Sequence, residues 1–366
     1  MSQSFLARSL EYTYLIAHGN GTRGCSLRAG PTDQHFGEFH MKKSLIALAV
    51  LASTGAAMAQ SSVTLYGRVD LSLGSLKELN KSSVSRLNDG GNQGLTTSRW
   101  GMRGSEDLGG GMKASFQLEN RFDADNGVSQ SPTFKGASWV GLSGGFGEVK
   151  LGRSTTVYDD IRALSYSSNV FDSAFTPAAN GVFGSGGDYS SRFDNKVTYL
   201  TPAMGGFYAG VDYAFDEDAT KNVDKMALKA GFKSGPMDIG FGYQDEKGTA
   251  KYTAFSGSYN LGMASISGGY NKRDGATAAT GDDNEFTVGV NVPMGAIALS
   301  AGYANSKTKV NGATSAKASG FAFGGTYSLS KRTRLYAGYR AHTIKNGAGV
   351  KTADTKLYAV GVRHDF

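Results

Sequence analysis

From Val63 onward the chain repeats segments of about ten residues in which apolar and polar side chains alternate, and any fold must satisfy that period of two. In the first segment Val63, Leu65, Val69 and Leu71 share one face, with Thr64, Tyr66, Arg68 and Asp70 on the other. The same division recurs with Phe207, Ala209, Val211 and Tyr213, with Met237, Ile239, Phe241 and Tyr243, and with Ile297, Leu299, Ala301 and Tyr303. A helix cannot sort side chains this way, because its faces repeat every 3.6 residues. The chain is therefore expected to be all-β.

A soluble sandwich also alternates, so the connections decide between architectures. Short turns (106–111, 143–147, 202–206, 234–237, 259–263, 292–295, 328–333) alternate with longer polar loops (76–94, 123–132, 155–191, 216–224, 272–283, 305–316, 346–353), with one tighter hairpin at 245–250. Short turns at one end and long loops at the other describe a transmembrane antiparallel β-barrel, and the segments number about sixteen. The composition agrees: 52 Gly, 18 Tyr and 20 Phe beside 6 Pro suit many strands joined by tight turns. A mean hydropathy of −0.29 is compatible with a membrane wall, since only alternate residues meet lipid.

Ahead of this pattern, Met41-Lys42-Lys43 opens a positively charged region, Ser44 to Gly55 is apolar, and Ala57-Met58-Ala59 forms a small-x-small cleavage site. These are the parts of a secretory signal peptide over 41–59, with mature protein beginning at Gln60. Residues 1–40 then read as an over-extended leader outside the mature protein, and 60–366 as the barrel. The one cysteine, Cys25, falls in the leader, so neither disulfides nor thiol chemistry belongs to the exported chain.

The stretch 155–191 has no period of either kind. A run that long is uncommon in a folded domain and is usually functional or disordered, and its aromatics (Tyr158, Tyr166, Phe171, Phe175, Phe183) argue for order. It is expected to fold inward as the constriction of a channel.

Motifs for chemistry are few. Gly141-Leu142-Ser143-Gly144-Gly145 matches the nucleophile-elbow spacing, but it occupies a turn between strands, and the mature chain has only His342 and His364 as possible partners. Asp123-Ala124-Asp125-Asn126-Gly127 is one residue off a calcium-loop beginning and lacks the distal Glu. No cofactor, metal or enzymatic role is expected. Of 38 basic and 31 acidic residues, five and three precede Gln60, which leaves 33 against 28 and a net charge of +5. The basic excess is spread along strands and loops without stacked aromatics, so nucleic acid is not the expected partner. A positive lumen concentrates anions instead.

The final strand reads LYAVGVRHDF, with Tyr358, Val360, Val362 and His364 alternating back from the terminal aromatic Phe366. With SSVTLYGRVDLSL, SRWGMRGSEDLGGGMKASFQLE, WVGLSGGFGEVKLGR and RFDNKVTYLTP, the sequence resembles the trimeric general porins of Gram-negative bacteria, most closely the β-proteobacterial type. The resemblance implies a homotrimer of 16-stranded outer-membrane barrels, each with its third outer loop, here 155–191, folded into the lumen. It implies passive diffusion of small hydrophilic solutes and ions, contact with outer-membrane lipid and lipopolysaccharide, and handling by the barrel-assembly machinery through the strand ending at Phe366. It further implies basic wall residues facing acidic loop residues. The motifs put Arg68, Arg99 and Arg192 on the basic wall, and parity independently puts them on the polar face, Arg192 being opposite Phe193 and Val197. Arg103 and Arg121 share the lumenal parity; Arg153 has the parity of Val149 and Leu151 but sits where the strand ends. Asp159, Asp160 and Asp172 are the available loop carboxylates, since the Pro-Glu-Phe-Gly run of some enterobacterial relatives is absent. A solute-selective channel on the same barrel and an adhesin or receptor barrel are the alternative functions.

Overall fold

In the computed structural model the alternating segments become the wall of a closed barrel. The structure describes residues 62–166, 174–177, 189–217 and 223–366, all within the unit Ala59–Phe366; the leader, the signal peptide and Asp172 lie outside the described residues.

The strands are β1 (Ser62–Lys77), β2 (Val84–Asp89), β3 (Ser98–Gly109), β4 (Met112–Asp123), β5 (Val128–Ser129), β6 (Ala137–Gly144), β7 (Gly147–Thr155), β8 (Arg192–Phe193), β9 (Lys196–Leu200) and β10 (Phe207–Ala214). They continue as β11 (Lys225–Ser234), β12 (Met237–Glu246), β13 (Ala250–Asn260), β14 (Ser265–Gly275), β15 (Asp282–Met294), β16 (Ile297–Val310), β17 (Ala313–Ser328), β18 (Thr333–Asn346) and β19 (Lys351–Asp365). Three wall strands are interrupted: β2 and β3 both pair with β1, β5 and β6 both with β4, and β8 and β9 both with β7. The wall is thus sixteen antiparallel strands, closed where β1 pairs with β19 from Arg68 opposite Asp365 to Lys77 opposite Lys356. Closure satisfies every strand edge, as a bilayer requires.

Burial reverses the pattern of a soluble protein. On β1, Leu65 and Leu73 are 63% and 60% exposed, whereas Asp70 and Ser72 are 0% and 1%. The apolar face therefore points outward and the polar face into the lumen.

Some expected loops prove to be strand. β16 continues to Val310 and returns at Ala313 through Asn311 and Gly312, both with positive φ (51° and 77°), a pair suited to a tight hairpin. β14 likewise reaches Gly275, and β19 already starts at Lys351. Beyond the apolar band both faces of a strand are polar, so hydropathy stops alternating while backbone pairing goes on.

The 155–191 stretch was expected to be aperiodic, but it begins with a helix. Besides the short α1 (Gly90–Gln93) between β2 and β3, α2 spans Val157–Ala163. Thr156 caps α2 by accepting the Asp159 N–H at 3.3 Å, and Asp159 and Asp160 in the first turn complement its dipole. Val157, Tyr158 and Ile161 bury against lumenal Ala227, Ala250, Tyr252 and Ala254. At about 1.5–3 kcal/mol per buried large side chain, this face is what holds so short a helix. The bed beneath is small by necessity: a Cβ on Gly240 would lie 2.5 Å from Ile161 Cδ1.

Candidate site in the lumen

Three inward arginines stand in cross-strand register, Arg68 of β1 opposite Arg99 of β3 and Arg99 opposite Arg121 of β4. Like charges directly opposite one another destabilise a sheet, so the row is costly for the wall that carries it. Glu119 offsets part of the cost: its Oε1 lies 3.5 Å from Arg99 Nη1 and 3.3 Å from Arg121 Nε, and its Oε2 accepts the Tyr66 hydroxyl at 3.2 Å. Arg99 also donates to Thr97 O at 3.1 Å and Thr96 Oγ1 at 2.7 Å. Arg68 donates to Asp365 Oδ1 at 2.9 Å, and Arg363 shares that carboxylate at 3.1 Å.

Arg363 and Arg334, directly opposite each other on β19 and β18, extend the basic wall. Neither was singled out from the sequence, although the inward parity of Arg363, alternating with Val360 and Val362, carried the signal. Arg103 lies two inward positions from Arg99, with its guanidinium 5.2 Å from the Tyr66 ring centroid. Through Tyr66, whose hydroxyl bonds Glu119, it borders the Glu119 cluster.

Arg192 joins that cluster by a different route from the one parity suggested. Leu151 pairs with Val197 but Ser154 pairs with Phe193, a one-residue shift that coincides with the positive φ (51°) of Asn195. The shift turns Phe193 inward, 2% exposed, into the cluster under α2, so Phe193 does not mark the lipid face. The Arg192 side chain donates to Gly136 O at 2.8 Å and lies within electrostatic reach of Asp159, Glu119 and Arg99. Arg153 is held by Asp194 at 2.5 Å and by Lys135 O at 2.9 Å.

The folded loop is fastened to the wall at several points. At its stem Asp212 Oδ2 accepts the Val157 N–H at 2.7 Å, while Oδ1 takes Lys196 Nζ at 2.9 Å and the Thr198 hydroxyl at 2.5 Å. Lys196 Nζ also reaches Thr155 O at 2.7 Å, and the Lys196 and Asp212 side chains are both fully buried. Farther along, Phe175 packs over Gly338, Ala174 N–H donates to Gly94 O at 3.1 Å, and Arg340 donates to Ala174 O. On the return, Ser190 gives its N–H and hydroxyl to Glu246 at 2.7 and 2.6 Å.

The two described loop carboxylates differ. Asp160 is exposed and pairs with Lys229 at 2.6 Å. Asp159 accepts the Tyr189 hydroxyl, and burial pushes its carboxyl up to about 6, against the lowering influence of that bond and of Arg162 and Arg192. Asp172 lies outside the described residues. Among the described residues no group of His, Cys, Asp and Glu is placed to hold a metal ion.

A family model described as Gram-negative porin matches residues 44–347. The chain is 37% identical to outer membrane porin protein 32 of Delftia acidovorans, over 89% of this chain and all of that protein. It is 30% identical to an outer membrane porin protein of Bordetella pertussis, over 89% of this chain and all of the relative. Among solved structures it is similar to an anion-selective porin from Comamonas acidovorans, with a TM-score of 0.70 and 30% identity over 84% of this chain and 100% of that one.

Proposed function

Since the chain belongs to the Gram-negative porin family and is an outer-membrane porin that passes small hydrophilic solutes by diffusion, we propose that its arginine arc makes the lumen weakly anion-preferring. The cross-strand row of Arg68, Arg99 and Arg121 carries this reading. A wall accepts directly opposed like charges where their field is used, and fixed positive charge lining a narrow aqueous path raises the local concentration of anions. Arg192 and Arg103 belong to the same proposal, with Asp159, Asp160 and Asp172 as the acidic side. The related proteins are porins, which are channels. The proposal also includes homotrimeric assembly and maturation at Gln60, both supported by the sequence motifs.

Planar-bilayer recording tests this reading. Conductance steps in threes and a reversal potential displaced toward the anion side are expected under a salt gradient. Single small steps blocked by one solute would instead favour a solute-selective channel.

The same measurement carries a pH prediction. The Asp159 carboxyl, raised to about 6, is charged at pH 7 and protonated at pH 5, so acidification removes one negative charge beside Arg192. Anion preference is therefore expected to rise between pH 7 and pH 5, and Asp159→Asn should flatten that rise. For stability the sign is the same: the folded state binds the proton more tightly than the unfolded chain, so folding gains as pH falls through about 6.

A further inference from the structure

Aromatic side chains of a membrane barrel usually face lipid in the interfacial girdles, but Tyr66, Trp139 and Tyr208 face the lumen. Their parity shows it: Tyr66 alternates with Leu65, Trp139 with Val140 and Tyr208 with Phe207, all more than half exposed on the outer face. Each of the three rings has a cation over it. The Arg103 guanidinium lies 5.2 Å from the Tyr66 centroid, Lys150 Nζ 4.9 Å from that of Trp139, and Lys229 Nζ 5.9 Å from that of Tyr208.

The pairs differ in what else holds them. Lys229 meets Asp160 at 2.6 Å, and the Tyr208 hydroxyl donates to Asp238 at 2.9 Å. Lys150 meets Glu148 at 3.1 Å. Arg103 is exposed to the lumen and has no ion-pair partner among the described residues. It is directly opposite Gln117, and Gln117 is directly opposite Trp139, so guanidinium and indole belong to one rung of the wall, two strand spacings or about 10 Å apart. That rung lies on the short-turn side of Arg99 and Arg121.

Glycines make room for both rings. A Cβ on Gly101 would lie 2.8 Å from Tyr66 Cζ, and one on Gly141 would lie 3.5 Å from Trp139 Cζ3 and 3.1 Å from Lys150 Cγ. Tyr66 is also pinned, since its hydroxyl accepts Gln117 Nε2 at 2.6 Å and donates to Glu119. The rung is thus a fixed shelf with an unpaired cation at one end and an indole at the other.

We propose that Arg103 and Trp139 form a subsite for aromatic carboxylates, with the carboxylate on the guanidinium and the ring stacked on the indole. The proposal rests on the anion-preferring reading: the arginine arc draws anions into the lumen, and the shelf sorts them by their apolar part. A guanidinium binds a carboxylate through two parallel N–H donors, and stacked rings gain more than their buried area alone provides. A two-carbon arm between ring and carboxylate suits the spacing. A neutral sugar also stacks on an indole, but it leaves Arg103 without a counter-charge.

The test uses the full folded protein in planar bilayers, with phenylpropanoate, cyclohexylpropanoate and phenylpropanol added in turn while the chloride current is recorded. Phenylpropanoate is expected to block saturably, at about a tenth of the concentration that cyclohexylpropanoate needs, and phenylpropanol not to block. Trp139→Leu should erase the difference between the two carboxylates, and Trp139→Phe should keep most of it. Arg103→Gln should raise the half-blocking concentration of phenylpropanoate about tenfold. Binding is also read without the leucine variant. The chain has two tryptophans, so in Trp100→Phe the emission of Trp139 stands alone and should titrate with the same midpoint as the block. Equal half-blocking concentrations of the two carboxylates on the native protein would overturn the proposal. So would an equal block by phenylpropanol, or a Trp139 emission indifferent to phenylpropanoate. The reversal potential in plain salt separates the two levels: on the anion side, with any of those results, it leaves the anion reading standing and removes the shelf alone.

Discussion

Replacing Arg68, Arg99 and Arg121 together by glutamine is expected to move the reversal potential toward the cation side, with a change of about tenfold in the anion-to-cation permeability ratio. The reason is what stays behind. Glu119 is bonded to two of the three guanidinium groups, and Asp365 to the third. Once the arginines are neutral Glu119 has lost both of its ion-pair partners, while Asp365 keeps Arg363 at 3.1 Å, so the local field shifts toward the negative. Adding Glu119→Gln should return the pore toward neutrality without restoring anion preference. An unchanged reversal potential in the triple variant would remove this row from the selectivity of the channel. Raising the salt should shrink the difference, because the Debye length falls to about 3 Å at 1 M.

Asp212→Ala is expected to be the most damaging single substitution in the lumen. It leaves Lys196 buried without its counter-charge, a change that costs about 3–5 kcal/mol. It also strips the Val157 N–H and the Thr198 hydroxyl of their acceptor, at the point where the chain leaves the wall to enter α2. Two readouts separate these effects. The unfolding midpoint in denaturant reports the lost ion pair, and single-channel noise reports the loosened loop. Replacing both partners by apolar residues, Lys196→Met with Asp212→Leu, should recover most of the midpoint, because an uncharged pair needs no compensation. It should not quieten the channel, since nothing then holds the first N–H of α2. Recovery of both readouts would mean that the carboxylate matters only as a counter-charge.

How much of this was legible depended on whether hydropathy or hydrogen bonding marked the element. Where a strand crosses the apolar band, as with Val63, Leu65 and Val69, alternation marked both the strand and the direction of each side chain. Where strands rise beyond the band, as in 305–310 of β16, both faces are polar and the sequence reads as loop although the ladder continues. The helix α2 escaped notice because seven residues give barely two turns of periodicity. Thr156 followed by Asp159 and Asp160 was the only local sign of its start. Arg192 illustrates a further limit. Parity assumes an unbroken register, and the positive φ of Asn195 breaks it between Arg192 and the regular pairing of β9. Arg363 and Glu119 carried the right parity, but a charged residue facing a lumen looks like any solvated one until its cross-strand neighbours are known.

The seam between β1 and β19 bears on when the barrel can form. It joins residues 297 apart in sequence, Arg68 and Asp365, and Gly67 exchanges backbone hydrogen bonds with Phe366 at 3.1 and 3.0 Å. Bringing such distant strands together costs about 5 kcal/mol in chain entropy before any ladder repays it. Until then both β1 and β19 present unpaired edges, which bilayer hydrocarbon does not tolerate and which other chains can pair with. The last strand to arrive is therefore also the one that commits the rest, and insertion is governed by a single late event instead of sixteen independent ones.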